Sequence, residues 1–384
     1  MAIDFDNIPT PCYLLDEQSL EVNLQILNLI QQEANVKIIC ALKGFAFWQE
    51  FPLVRQYLSG ATASSLHEAR LIAEEMSVEA HTYCPVYKED MFEALLAYSS
   101  HLTFNSLSQY TQFYPKVKSF GKEVSLGLRI NPEYSEVKTD LYNPALEGSR
   151  LGIVRAKLGN TLPEGIEGIH FHVLCENDSY TLERTLVHVE EKFGDLIRQA
   201  KWLNMGGGHL ITKEGYDVEH LVKLLKNFRK RYPNLEDIIL EPGEAVGWQT
   251  GFLVTSVQDI IECKDFNVAM LDMSFACHAP DCLDMPYKPL ILNAKNATKE
   301  DKHIYRMGGN SCLAGDYMGM GDYAFAEPLE IGEKIIFEDM IHYTMVKTTF
   351  FNGVQHPHIA VWTKNNEFVI LKSFGYEDYK GKLG

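Results

Sequence analysis

Hydrophobic positions along this chain change their period twice. Leu20, Leu24, Leu27 and Ile30 recur at helical spacing, behind a short strand from Thr10 to Asp16 that ends in an acidic cap. From Val36 the pattern becomes repetitive, with short apolar runs near 36–42, 60–63, 80–84, 101–104, 124–130, 166–172, 201–204 and 237–241. Near-continuous apolar runs are expected of parallel strands buried on both faces. Helical stretches separate most of them, among them Ser65 to Met76, which opens with the capping box Ser65-Leu66-His67-Glu68. Eight strands alternating with helices is the count of a (β/α)8 TIM barrel, expected over residues 18–247. After Gly247 the texture changes: Gly251 to Val257, Asn267 to Leu271, Lys334 to Phe337 and Phe368 to Leu371 read as strands between Gly- and Pro-rich loops. Residues 248–384, with 1–17, are therefore expected to form a second, mostly β domain.

Composition narrows the class. At 384 residues and 46% hydrophobic, the chain can bury a large core. Eight cysteines lie scattered without a CxxC pair, which favours reduced thiols over a disulfide framework. The first residues carry no basic segment and no apolar leader, and no apolar run is long enough to span a bilayer. A cytoplasmic location is expected. The net charge of −17 argues against nucleic acid or an anionic membrane as partner, and would suit a cationic substrate.

In a barrel of this kind chemistry sits at the C-terminal ends of the strands. Those ends carry Lys43 after the first strand, Arg129 at the fifth, and His170 and His172 at the sixth. Gly206-Gly207-Gly208 follows the seventh, and Glu241-Pro242-Gly243-Glu244 the eighth. A lysine in a crowded, partly desolvated mouth loses its proton easily and can condense with an aldehyde. Three glycines after a strand either form a tight turn or offer consecutive N–H groups to a phosphate. Glu241 ends an apolar run and needs a cationic or N–H partner, for which Arg129 is one option. Cys277, His278, Cys282 and Asp284 lie close in sequence, but their spacing matches no closed metal site, and no metal is expected. An amine, a phosphate cradle, a buried carboxylate and a flat ring together meet the needs of pyridoxal 5′-phosphate.

The ordered set of motifs resembles the fold-type III pyridoxal-phosphate decarboxylases, which include ornithine, diaminopimelate and arginine decarboxylases and share an alanine-racemase-like barrel. It runs from Thr10-Pro11 through Ala41-Leu42-Lys43, Leu128-Arg129-Ile130, Ser149-Arg150-Leu151-Gly152, His170-Phe171-His172, the triple glycine, Glu241-Pro242-Gly243 and Ser311-Cys312 to Tyr343-Thr344 and Phe351-Asn352-Gly353. Within that group Gly44-Phe45-Ala46, Leu174-Cys175-Glu176, Glu244-Ala245 and Ala276-Cys277-His278-Ala279-Pro280-Asp281 are most similar to the carboxynorspermidine (carboxyspermidine) decarboxylases.

The resemblance implies roles. Lys43 would hold the cofactor covalently, His172 would stack on its ring, and Glu241 would pair with the ring nitrogen. Gly206, Gly207, Gly208 and Gly243, helped by Tyr343, would hold the phosphate. Cys312 would enter from the other subunit of a homodimer and return a proton to the substrate carbon after CO2 leaves, and Asp316 would hold a substrate amine. Two departures bear on the substrate. Glu244 stands where relatives acting on small amino acids usually have arginine, and Leu313 where they usually have an acid. A carboxylate at 244, and another at Asp281, would suit a carboxylated polyamine cation. The expected reaction is decarboxylation of carboxynorspermidine or carboxyspermidine to norspermidine or spermidine. The alternatives are a diaminopimelate, ornithine or arginine decarboxylase, a racemase on the same fold, or a non-catalytic cofactor-binding regulator.

Overall fold

The structure, a computed structural model, describes residues 3–264 and 266–384. The chain forms two compact units: Asn23–Val246, and the residues up to Val22 together with Gly247–Gly384.

The first of these is a closed parallel barrel. Its ladder runs Cys40–Ala41, Ala61–Ala63, Ala80–Tyr83, Ser99–Phe104, Ser125–Asn131, Ile166–His170, Trp202–Asn204, Asp237–Leu240 and Lys37–Ile38. Lys37–Ile38 and Cys40–Ala41 are two halves of one strand, broken at Ile39. The first half pairs with the last strand and the second half with the Ala61–Ala63 strand, and this closes an eight-stranded ring. Ile38, Ile39, Cys40, Ile238, Ile239 and Leu240 are all fully buried, as continuous apolar runs in a parallel sheet require. Trp202 fills part of the interior. Its indole lies where a Cβ would stand on Gly127 or Gly168, so the Ser125–Asn131 and Ile166–His170 strands both need glycine there. Lys37, at the strand's start, ends 2.7 Å from Asp237.

The helical periodicity is realised in Glu17–Ala34, whose Leu20, Leu24, Leu27 and Ile30 are fully buried. The capping box forms with one change. Ser65 Oγ accepts from Glu68 N, but the Glu68 carboxylate accepts from Ser64 N, one residue before the cap.

The other unit is a mixed sheet. Its strands lie in the order Ala294–Asn296, Tyr323–Phe325, His303–Gly308, Asn267–Leu271, Gly251–Glu262, Cys12–Asp16, His358–Trp362 and Phe368–Lys372, with Lys334–Glu338 paired to Gly251–Glu262. The N-terminal strand sits inside this sheet, Cys12 opposite Val254 on one side and His358 on the other. Ile8, Cys12, Leu14, Val254, Ile336 and Ala360 form its core. Lys334 Nζ donates to the carbonyls of Phe5, Asp6 and Ile8, which ties down the segment before the strand. Among the described residues no helix is long and apolar enough to cross a membrane.

Candidate active site

The barrel fold brings the separated strand-end motifs into one mouth. Lys43 follows the split first strand, in a turn held against the Glu-Pro-Gly loop by a hydrogen bond from Ala41 N to Pro242 O of 3.0 Å. The fit is close. A Cβ on Gly44 would stand 2.8 Å from Glu244 N, and one on Gly243 2.8 Å from Ala41 O. The glycines on both sides of this approach therefore bring Lys43 and Glu241 together, with Glu244 next to them.

Lys43 Nζ lies 3.1 Å from His172 Nε2. The other ring nitrogen, Nδ1, accepts from Gly207 N at 3.0 Å. Burial, reinforced by the Arg129 guanidinium, pushes the His172 imidazolium well below the usual histidine range, so the ring is neutral. Burial and the Arg129 guanidinium also push the Lys43 ammonium down, against the opposing pull of Glu241, Cys175 and Glu68. Lys43 is nonetheless exposed, so solvent screens part of this shift.

Burial would push Glu241 up. The opposing influences of His170, the Asn204 amide and Lys43 prevail, and its carboxyl is held down at about 2. Asn204 Nδ2 donates to Oε1 at 2.8 Å. His170 Nε2 stands 3.3 Å from Oε2, an ionic approach rather than an aligned hydrogen bond, since neither His170 nitrogen has a hydrogen-bond partner among the described residues. Burial pushes His170 down, against the opposing pull of Glu241. Arg129 is not its partner. The guanidinium donates to the His172 carbonyl at 3.0 Å and lies 4.6 Å over the Tyr83 ring, so Glu241 keeps its negative charge for something else.

The triple glycine serves by shape more than by donor count. Gly206 N donates to Asn204 Oδ1 and Gly207 N to His172 Nδ1, so two of the three N–H groups are used within the site. Gly206 and Gly208 have φ of 71° and 87°, and a Cβ on Gly206 would stand 2.6 Å from the Phe171 carbonyl. One on Gly207 would overlap the Glu241 carbonyl, and one on Gly208 the Leu174 carbonyl.

The remaining expected site residues, Cys312, Asp316, Asp281 and Tyr343, belong to the sheet unit. Cys312 is exposed, and its N–H donates to Asn352 Oδ1 at 2.9 Å. Asp316, 4% exposed, accepts from Ala276 N at 3.1 Å and from Ser311 N at 3.0 Å, so it fixes the loop that carries Cys312. Asp281 is paired with Lys347 at 2.7 Å. Tyr343 opens the short helix Tyr343–Val346. Cys277, His278, Cys282 and Asp284 form no metal cluster, and none is found among the described residues.

Sequence reasoning missed Asn204 and Glu68. Asn204 stands beside the triple glycine and fixes both that loop and Glu241. Its position as the last residue of a buried strand was the available signal.

The barrel mouth fits pyridoxal 5′-phosphate. The glycines let the strand-end loops close against one another, and a solvent-reachable amine stands beside a flat ring. A buried carboxylate held ionised matches a ring N–H.

Comparison with known proteins agrees. Residues 12–341 match the family described as pyridoxal-dependent decarboxylase, C-terminal sheet domain. Carboxyaminopropylagmatine decarboxylase of Synechocystis sp. is 50% identical over 378 residues, covering 98% of this chain and 96% of its own. Carboxynorspermidine/carboxyspermidine decarboxylase of Campylobacter jejuni is 45% identical over 385 residues, 98% of each. A crystal structure of carboxynorspermidine decarboxylase complexed with norspermidine, from Campylobacter jejuni, superposes with a TM-score of 0.89 at 44% identity, covering 98% of this chain and all of that one. A chain that shares both the profile and whole-length relatives of this kind belongs to the pyridoxal-dependent decarboxylases, with pyridoxal 5′-phosphate as its cofactor.

Proposed function

We propose that the protein decarboxylates carboxynorspermidine or carboxyspermidine, releasing CO2 and norspermidine or spermidine. The observation that carries this reading is the meeting of Lys43, His172 and Glu241 in one barrel mouth, in a chain related along its whole length to enzymes bearing those substrate names. The bound cofactor supplies an electron-poor ring that takes up the electron pair left behind by CO2. Lys43 would hold it covalently, and His172 would stack on it. Glu241, ionised at any working pH, keeps the ring nitrogen protonated. The glycine loop of residues 206–208 and Gly243, helped by Tyr343, would hold the phosphate. Cys312, on the loop fixed by Asp316 and Asn352, returns a proton to the substrate carbon from the second subunit of a homodimer. The excess of negative charge on the chain favours a polyamine cation. Glu244, at the barrel mouth, is our candidate for holding the cationic tail; Asp281 is offset by Lys347, and Asp316 is buried on the N–H groups of Ala276 and Ser311. We place the enzyme in the cytoplasm.

A second reading has its own support. The Synechocystis relative at 50% identity is named for carboxyaminopropylagmatine. A CO2-release assay with carboxynorspermidine, carboxyspermidine, carboxyaminopropylagmatine and diaminopimelate separates the readings. One of the first two is expected to give a kcat/KM at least about tenfold above the other classes, a difference of about 1.4 kcal/mol in transition-state binding. Preference for carboxyaminopropylagmatine would establish the second reading, and preference for diaminopimelate would overturn both.

A further inference from the structure

The ring of His172 touches the chain at both nitrogens, and the two contacts together fix its hydrogen. Gly207 N–H is a donor and nothing else, so the nitrogen facing it, Nδ1 at 3.0 Å, must accept. A neutral imidazole that accepts at Nδ1 carries its hydrogen on Nε2. Nε2 faces Lys43 Nζ at 3.1 Å. An ammonium has three N–H donors and no lone pair, so it would oppose that hydrogen, whereas a free amine can accept it.

We propose that His172 is a positioning residue for cofactor capture: locked by Gly207 N–H in the Nε2–H tautomer, it donates to Lys43 Nζ and keeps that amine as the free base before the cofactor binds. The inference rests on the reading that Lys43 carries the cofactor, and it concerns the chain's state before that bond exists. Condensing a primary amine with an aldehyde forms one C=N bond and expels one water, whose two hydrogens come from the amine. The lone pair that starts this is absent from an ammonium, so a lysine held as the free base skips one deprotonation at neutral pH. No oxidant or reductant is needed.

The surroundings work in the same direction. Arg129 faces both groups and disfavours a further positive charge on either. Burial pushes His170 and His209, the other histidines near His172, below the usual histidine range. Glu241, Glu68 and Cys175 oppose this by favouring a charged lysine. Of these, Glu241 already accepts from Asn204, and Glu68 from Ser64 N. Desolvation and Arg129 outweigh them.

The test is trace acetylation of the full-length chain stripped of cofactor, with its fold checked by circular dichroism. Acetic anhydride is applied across a pH series, and each lysine is read by peptide mass spectrometry. The midpoint for Lys43 is expected at lower pH than that for surface Lys226 in the same digest. His172→Phe keeps a flat ring without an N–H, and should raise the Lys43 midpoint enough to cut its labelling near pH 7 by about tenfold, which is one pK unit. His172→Gln returns an N–H donor and should recover part of the loss. An unmoved midpoint in His172→Phe would overturn the proposal.

Should that variant fail to fold, nitrogen-15 spectra of histidine in the unmutated chain decide the matter. The proposal requires His172 Nε2 to be protonated and Nδ1 bare, and the opposite tautomer refutes it. Borohydride fixation of added pyridoxal 5′-phosphate, run on the same preparation, separates the two levels. Fixation at Lys43 with an unmoved midpoint sinks the tautomer assignment alone. A moved midpoint without fixation at Lys43 sinks the cofactor reading and leaves the tautomer standing.

Discussion

Replacing Glu241 with glutamine is expected to lower kcat by about 10²–10³-fold, the scale on which removal of one preorganised electrostatic partner is felt in an active site. The swap preserves shape. Glutamine Oε1 can still accept from Asn204 Nδ2, the 2.8 Å bond that holds the side chain in place. What it removes is the negative charge, which is unopposed by any arginine, since Arg129 points to the His172 carbonyl instead. Because the folded state prefers the charged carboxylate, the swap should also lower thermal stability, while KM should change by only a few-fold, so the kinetic loss would fall on kcat. The carboxyl is held at about 2, below its ordinary value, so any stability it contributes is present above the unfolded-state value and is lost only as pH falls toward 2. An acid limb of the rate profile above pH 5 must therefore belong to another group. A kcat within about threefold of the unmutated enzyme would remove Glu241 from the role of ring counter-charge.

The second large effect is structural. Gly208→Ala is expected to cost about 2–4 kcal/mol, from backbone strain and overpacking together. Gly208 has φ of 87°, and its added Cβ would overlap the Leu174 carbonyl. Neither can relax cheaply. The Gly208 carbonyl accepts from Asn177 N at 3.0 Å, and the loop is held from the other side by Gly207 N on His172. In a unit of this size the midpoint of thermal unfolding should fall by roughly 5–15 °C, with cofactor affinity falling as well. An unchanged midpoint by calorimetry would show that the loop is looser than its contacts imply.

Much of the barrel was legible because a parallel sheet covered on both faces writes itself as unbroken apolar runs. Val36 to Leu42 and Asp237 to Leu240 need no partner to be recognised. The sheet unit was harder to read. Ala294–Asn296, Tyr323–Phe325 and His358–Trp362 are short or partly exposed, and His303–Gly308 mixes charge with apolar positions, so their pairing partners make them strands more than their residues do.

The site divides in the same way. Lys43, the glycines and Glu241 stand at strand ends, where topology alone brings them together. The partnerships do not follow from spacing. Glu241 finds Asn204, 37 residues away, instead of Arg129, and Gly207 N–H turns to His172 instead of facing an anion. Asp281 similarly meets Lys347 across 66 residues. Such choices are settled by side-chain reach and hydrogen-bond direction in the folded chain.

The central claim is that one amine, Lys43, carries the cofactor. Sodium borohydride reduction of the purified protein, followed by digestion and mass mapping, tests it most directly. The account predicts a pyridoxyl-phosphate adduct on the peptide containing Ala41-Leu42-Lys43-Gly44, at near one equivalent per chain. Bound cofactor that reduces onto a different lysine, or washes away leaving Lys43 unmodified, would contradict it.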